Sequence, residues 1–168
     1  DLPISLSVNP CYDFSLTVAG NNTYSICDRS SVIIPLNLEN DGTTNNNYKV
    51  DVDGPSWART DTRDFFGLRA NESRLFNLVF APNYGMNGEY EIQLSVTPEL
   101  GGLKAVTDFD VQVRKCHSVD VEFNLEKSDA CKGATNNYEV LVNNNGEFRK
   151  DYQLIFDGPS WVSLDVSD

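Results

Sequence analysis

The sequence predicts an all-β chain of two successive antiparallel β-sandwiches, the second of them incomplete. Three observations carry that expectation. Apolar and polar residues alternate in runs of roughly five to eight, the period of a strand with one face in a core and the other in water. The runs are parted by turn chemistry at Asn40-Asp41-Gly42, Asp53-Gly54-Pro55, Asn87-Gly88 and Gly101-Gly102, where glycine supplies positive φ and Asn or Asp bonds its own backbone. The pentapeptide Asp53-Gly54-Pro55-Ser56-Trp57 returns intact as Asp157-Gly158-Pro159-Ser160-Trp161.

Along the chain, the leader Asp1 to Asn9 alternates at Ile4, Leu6 and Val8 and reads either as a first strand or as an end strand given to a neighbouring molecule. Tyr48, Val50 and Val52 mark the strand before the first Trp. Phe76, Leu78 and Phe80 mark another, followed by Tyr90, Ile92, Leu94 and Val96 and then by Phe109, Val111 and Val113. Further on, Tyr138, Val140 and Val142, then Tyr152, Leu154 and Phe156, repeat the scheme around Asn143-Asn144-Asn145-Gly146. No window offers a helical stripe longer than a turn or two. A unit of about 100 residues with seven or so short strands is immunoglobulin-like in size.

The pentapeptide recurs at an offset of 104 residues (157 − 53), and the same offset carries Cys27 onto Cys131, Asn40 onto Asn144, Gly42 onto Gly146 and Tyr48 onto Tyr152. Cys to Trp is 30 residues in both copies (57 − 27 and 161 − 131), so nothing is inserted between these anchors. The expected division is 1–114, an immunoglobulin-like β-sandwich, and 115–168, the N-terminal half of a second, homologous domain. The short joint Arg114-Lys115-Cys116 limits bending between them. Only seven residues follow Trp161. Half a sandwich exposes the apolar faces of its strands. The second unit therefore reads as part of a longer protein, with completion by a strand from another chain as the alternative.

Composition narrows the function. With 25 acidic and 13 basic side chains the formal net charge is −12, which repels phosphate backbones and excludes nucleic acid as a partner. A hydrophobic fraction of 40% is too high for a disordered tail, while apolar runs such as Val32-Ile33-Ile34 are too short to cross a bilayer, so no direct membrane insertion is expected. The N-terminus, Asp1-Leu2-Pro3, carries no basic and apolar targeting signature, so any such peptide has been removed or lies outside this sequence.

The four cysteines fall as two pairs of similar spacing, Cys11 to Cys27 and Cys116 to Cys131. An even count at recurring spacing argues for disulfides and an oxidising, extracellular setting. Three connectivities are possible. The recurrence with the repeat favours one bridge within each pair, each closing a loop of about 16 residues worth roughly 3 kcal/mol in chain entropy. Neither pair has the two-to-four residue spacing of a zinc knuckle, so no structural metal is expected.

One more sequence of signals matters. An Asn-x-Gly turn follows an alternating strand, then come Gly54-Pro55-Ser56-Trp57, Ala70-Asn71-Glu72-Ser73 before a strand, and Gly88-Glu89-Tyr90 opening another. That order resembles the NPCBM-associated, alpha-galactosidase-type immunoglobulin-like repeats, which occur in tandem in prokaryotic, notably archaeal, surface proteins. The resemblance covers about residues 30–114 and, shortened, 131–168, although Ala70-Asn71 stands where Pro-Gly is usual. It implies an extracellular spacer, adhesion or envelope module with no catalytic residues to transfer.

Candidate chemistry is sparse. The single histidine, His117, follows a cysteine at the domain junction and is expected to be solvated linker. Asp51 and Asp53 share one strand face, as the solvated side of a half-buried sheet would place them, so no acid/base pair and no cofactor site is expected. Trp57 and Trp161 are read as packing landmarks at the sandwich rim, with sugar stacking as the alternative. The oxygen-rich loops Glu39-Asn40-Asp41 and Asp61-Thr62-Arg63-Asp64 match no calcium loop and read as ordinary turns. Two sequons, at Asn21 and Asn71, lie in expected loops and are candidate N-glycosylation sites.

The sequence thus predicts a non-catalytic structural or adhesive segment of a cell-surface protein in a surface layer, stalk or filament. Its partners would be neighbouring copies of itself or other envelope proteins. The alternative is a carbohydrate-binding accessory module of a secreted glycoside hydrolase, which predicts a solvent-facing Trp57 or Trp161 and retention on polysaccharide. An enzyme, the third reading, would need a pocket of perturbed titratable groups.

Overall fold

The alternating runs fold as strands throughout. The computed structural model describes residues 11–124 and 131–165, all of it β-structure, turns and loops. The chain divides into two compact units, Asp1–Cys116 and His117–Asp168.

The first unit is an open two-layered sandwich. One sheet has the order β1 (Ser15–Val18), β3 (Val32–Glu39), β7 (Ser73–Phe80), β5 (Ala58–Thr60). The other runs β2 (Thr23–Cys27), β9 (Ala105–Arg114), β8 (Gly88–Pro98), β4 (Asn46–Asp53), β6 (Phe65–Leu68). All pairings in this unit are antiparallel except β2 with β9, which run parallel. The period of two sends every second side chain inward. Ile34, Leu36 and Leu38 of β3 and Phe76, Leu78 and Phe80 of β7 line the inner face of the first sheet. Tyr48 and Val50 of β4, Ile92, Leu94 and Val96 of β8, and Phe109, Val111 and Val113 of β9 line the second. All are buried, and each such side chain contributes on the order of 1.5–3 kcal/mol by leaving water. The four edge strands are the short ones, three to five residues against eight to eleven inside. Short edges offer little backbone to a stray strand.

Asn40 fastens one end of this sandwich. Its side chain is fully buried, and Nδ2 donates to the carbonyls of Thr44, Leu68 and Arg69 at 2.9, 3.3 and 3.1 Å. Its Oδ1 accepts from the Gly42 amide at 3.1 Å, while Asn40 N donates to Glu72 O and Asn71 N to Asn40 O. One amide therefore ties the loop after β3 to the turn between β6 and β7. Gly42 has no room for a side chain, since a Cβ there would lie 2.5 Å from the Cys11 carbonyl oxygen.

In the second unit β10 (Val119–Asn124) pairs antiparallel with β11 (Glu139–Asn144). Their register repeats that of β1 with β3: Ser15 faces Glu39, and their counterparts Asp120 and Asn143 face each other. The turns repeat too. Asn144 Nδ2 donates to Phe148 O at 2.8 Å and its Oδ1 accepts from Gly146 N, as Asn40 does with Thr44 and Gly42. Val162 N donates to Pro159 O at 3.0 Å, as Ala58 N does to Pro55 O at 2.9 Å.

The strand expected over Tyr152, Leu154 and Phe156 is not formed; these residues lie outside any strand or sheet, and all three are exposed. In the first unit the matching strand, β4, is held between β6 and β8, whereas among the described residues of the second unit no strand pairs with 152–156.

Candidate functional site

The feature of the first unit that is not plain sandwich packing is its covalent closure. After β1, in the first sheet, the chain crosses to the second, where β2 lies parallel to the last strand of the unit, β9, with Cys27 in register with Arg114. Cys116, two residues on, folds back through a Cys116 N to Arg114 O hydrogen bond of 3.1 Å. This brings the Cα atoms of Cys27 and Cys116 to 5.4 Å, and the two form a disulfide spanning 89 residues.

The expected pairs Cys11–Cys27 and Cys116–Cys131 are thereby corrected. Spacing along the chain was the wrong guide, because β3 separates the two ends. The Cys11 carbonyl accepts from Thr44 Oγ1 beside the Asn40 turn, after β3, whereas Cys27 precedes β3 and its carbonyl accepts from Ser30. Cys11 and Cys27 therefore sit at opposite ends of an eight-residue strand, roughly 25 Å long at about 3.3 Å per residue. Cys131 is exposed, and its thiol is not in a disulfide.

Asp28, which the sequence did not mark, supports the bridge. It is fully buried; its Oδ1 accepts from Cys116 N at 3.2 Å and its Oδ2 from Gly85 N at 3.5 Å, while its own amide donates to Arg114 O at 2.9 Å. Arg29 turns the chain with φ at 60° and donates its amide to Pro82 O. An Asp directly after a cysteine at a strand end was the available signal, since a short carboxylate there can accept from backbone amides that the strands leave over.

The two tryptophans part company. Trp57 is 4% exposed and packs edge-on against Phe80 and Tyr90, with ring centroids 6.1 and 5.0 Å away. Its ring is closed to a sugar face. Trp161 is 84% exposed.

Among the described residues, the outward-facing carboxylates of the second sheet make ordinary surface contacts. Asp51 pairs with Lys49 at 2.8 Å, both side chains largely in solvent, and Asp53 faces Gln93 across β4 and β8. Glu91 faces Asp110, and Gln93 Nε2 donates to Asp108 at 2.8 Å, so this face of the second sheet is a solvated acidic surface. In each of the two candidate loops one side chain is already engaged, while Thr62 Oγ1 is buried without a hydrogen-bond partner. Asn40 is buried as described, and Asp61 accepts from the Asn77 amide and side chain at 2.7 and 2.6 Å, which holds its carboxyl below the usual range, the backbone amide contributing most. His117 is half-buried rather than solvated, its ring 5.6 Å from that of Phe148. Both sequon asparagines are exposed. Asn71 takes φ of 59° in the tight turn where Glu72 N donates to Arg69 O.

No family model matches the chain, and no curated protein matches it in sequence. Solved structures do share its fold. A family 123 glycoside hydrolase from Clostridium perfringens is similar with a TM-score of 0.51 and 8% identity over 61% of this chain, which corresponds to 27% of the hydrolase. PapD-like domain 7 of human CEP192 is similar at a TM-score of 0.47 and 15% identity, covering 68% of this chain and 93% of that one. A FixG-related protein from Vibrio parahaemolyticus stands at 0.46 and 12%, covering 64% and 99%. At these identities the likeness is of fold alone, in keeping with the open all-β sandwich of the first unit.

Proposed function

We propose that this chain is a non-catalytic structural or adhesive segment of an extracellular surface protein, in which disulfide-clamped immunoglobulin-like units follow one another in a surface layer, stalk or filament. The observation that carries the reading is the Cys27–Cys116 bridge, which joins an early edge strand to the second residue past the last strand of the unit. Pulling on the two ends of the unit then loads a covalent bond rather than the β2–β9 ladder. Disulfides of this kind persist in oxidising compartments, which supports a place outside the cytoplasm. The resemblance to NPCBM-associated repeats supports a prokaryotic, archaeal envelope, with neighbouring copies or other envelope proteins as partners.

Other features agree. The acidic outer face of the second sheet suits a crowded, soluble surface and repels polyanions, which argues against nucleic acid. The exposed Asn21 and Asn71 are proposed glycan sites on this reading. The accessory-module alternative has one observation in its favour, the exposed indole of Trp161, and one against it, the buried Trp57.

Labelling intact cells of the source organism with a membrane-impermeant amine reagent, followed by enrichment, tests the proposal. Labelled chain in the surface fraction is the expected result; chain found only after lysis overturns it. Retention of the purified chain on insoluble polysaccharide, lost in Trp161→Ala, would transfer the case to the accessory module.

A further inference from the structure

The second unit carries the first unit's landmarks but leaves them in water. Tyr48 is fully buried and its counterpart Tyr152 is 43% exposed; Leu36 is 1% exposed and its counterpart Val140 is 44%. What covers the first set is known. Trp57 lies against Phe80 of β7 and Tyr90 of β8, Phe80 packs on Phe109 of β9, and Tyr48 sits in a core closed by the same three strands. The second unit has the same β10–β11 register, the same Asn turn and the same Pro-Ser-Trp turn, so it presents the matching half of that core. Its Cys131 stands where Cys27 stands, and in the first unit that position is bonded.

The cysteines keep the same order around the closing strand. Phe109, Val111 and Val113 alternate and are followed three residues later by Cys116. Ile4, Leu6, Val8 and Cys11 repeat that pattern at an offset of 105 (109 − 4), and Phe14, Leu16 and Val18 then match Val119, Val121 and Phe123 at the same offset. The sequence pattern of a closing strand, a closing cysteine and a new first strand thus occurs twice. By position, Cys11 and Cys116 are closing cysteines, while Cys27 and Cys131 are opening ones.

We propose that the open face of the second unit, with Cys131, is the acceptor for a continuation of the same polypeptide. This continuation carries the β6–β9 pattern and ends in a closing cysteine 89 residues beyond Cys131, to which Cys131 is disulfide-bonded. The inference rests on the tandem-repeat reading above and gives that reading a bridge register: each unit is locked by its own opening cysteine and by the cysteine that precedes the next unit. Forming the bond joins two thiol sulfurs and releases two protons and two electrons, taken up by the disulfide-exchange oxidants of an oxidising compartment. A second copy of this chain is the weaker occupant. Its Ile4-Leu6-Val8 stretch matches β9 alone, whereas Trp57 is covered from β7 and β8.

The test extends the full chain. Residues 62–116 are appended after Asp165, in the repeat's own frame (165 − 61 = 104). In the unextended 168-residue chain, Cys131 reacts with iodoacetamide at the rate of a free thiol and Trp161 emits as a solvated indole. In the extended chain the expected results are loss of Cys131 alkylation by at least tenfold, restored by dithiothreitol, and a blue shift of the Trp161 emission read in a Trp57→Phe background. A second extension, with its terminal cysteine changed to Ser, is expected to keep the blue shift while leaving Cys131 reactive, which separates packing from bonding. Extensions that leave both Cys131 reactive and Trp161 solvated overturn the proposal. So does an unextended chain in which Cys131 is bonded to Cys11 of another copy with Trp161 buried, for then a second copy is the occupant. None of these readings depends on where the protein resides, so surface labelling and bridge formation fail independently.

Discussion

Removing the Cys27–Cys116 bridge is the perturbation whose size the structure fixes best. Cross-linking residues 89 apart restricts the unfolded chain far more than a loop of about 16 would. The chain-entropy relation gives about 4.6 kcal/mol for the long loop and about 3 kcal/mol for a Cys11–Cys27 loop. In a unit of this size roughly 4 °C of Tm accompanies each kcal/mol, so the double variant Cys27→Ser/Cys116→Ser should melt some 15–20 °C below the parent. Folding of the reduced protein should still occur, because the core side chains of both sheets are untouched by the change. The assay is urea unfolding followed by far-UV circular dichroism, with and without dithiothreitol. The parent should lose its advantage on reduction and the variant should be indifferent. A loss below about 1 kcal/mol in the double variant, together with a loss near 3 kcal/mol in Cys11→Ser, would refute the reasoning, since it would put the bridge in the short loop.

Three further outcomes follow from single side chains. Trp57→Ala, which empties a site between Phe80 and Tyr90, should cost about 3–5 kcal/mol in urea unfolding, whereas Trp161→Ala should stay within about 0.5 kcal/mol. Asn40→Ala strands the buried Leu68 carbonyl, the part-buried Thr44 and Arg69 carbonyls and the Gly42 amide and should cost about 2–4 kcal/mol by the same measurement, while Asn144→Ala, on exposed chain, should leave the first unit's transition unmoved. Asp61 has its carboxyl pKa lowered by the Asn77 amide and side chain. Its contribution is therefore complete above the unfolded value near 3.8 and is lost as pH falls through the folded value. Asp61→Asn should flatten the stability profile below about pH 4 and leave its neutral and alkaline limbs in place.

The sandwich was legible because its strands are half-buried. Tyr48, Val50, Phe76, Leu78, Phe80, Phe109, Val111 and Val113 write a period of two into the sequence, and the turns between them carry Gly, Asn and Asp for reasons local to the backbone. Short edge strands such as β5 and β6 left no such trace, since three or four residues cannot display a period. The bridge was illegible for a different reason. Cysteine spacing records distance along the chain, whereas pairing depends on which strand ends meet, and only the β2–β9 crossover brings Cys27 to Cys116. Asp28 was similarly hidden, since Oδ1 accepts from a backbone amide 88 residues away, and Asn40 was marked only for its local turn with Gly42, its bonds to Leu68 and Arg69 lying 28 and 29 residues off. In the second unit the sequence pattern over residues 152–156 is that of a strand, but pattern alone makes no strand without neighbours to bond.

The central claim, that one long bridge closes the first unit, is most directly tested by mapping the disulfides of the oxidised chain with trypsin and no reductant. Neither Lys nor Arg lies between Cys11 and Cys27, so both fall in the peptide Asp1–Arg29, while Cys116 falls in Cys116–Lys127 and Cys131 in Ser128–Lys132. The account predicts Asp1–Arg29 joined to Cys116–Lys127, with the Ser128–Lys132 peptide alkylated. An Asp1–Arg29 peptide bridged only to itself, beside Cys116–Lys127 joined to Ser128–Lys132, would contradict it.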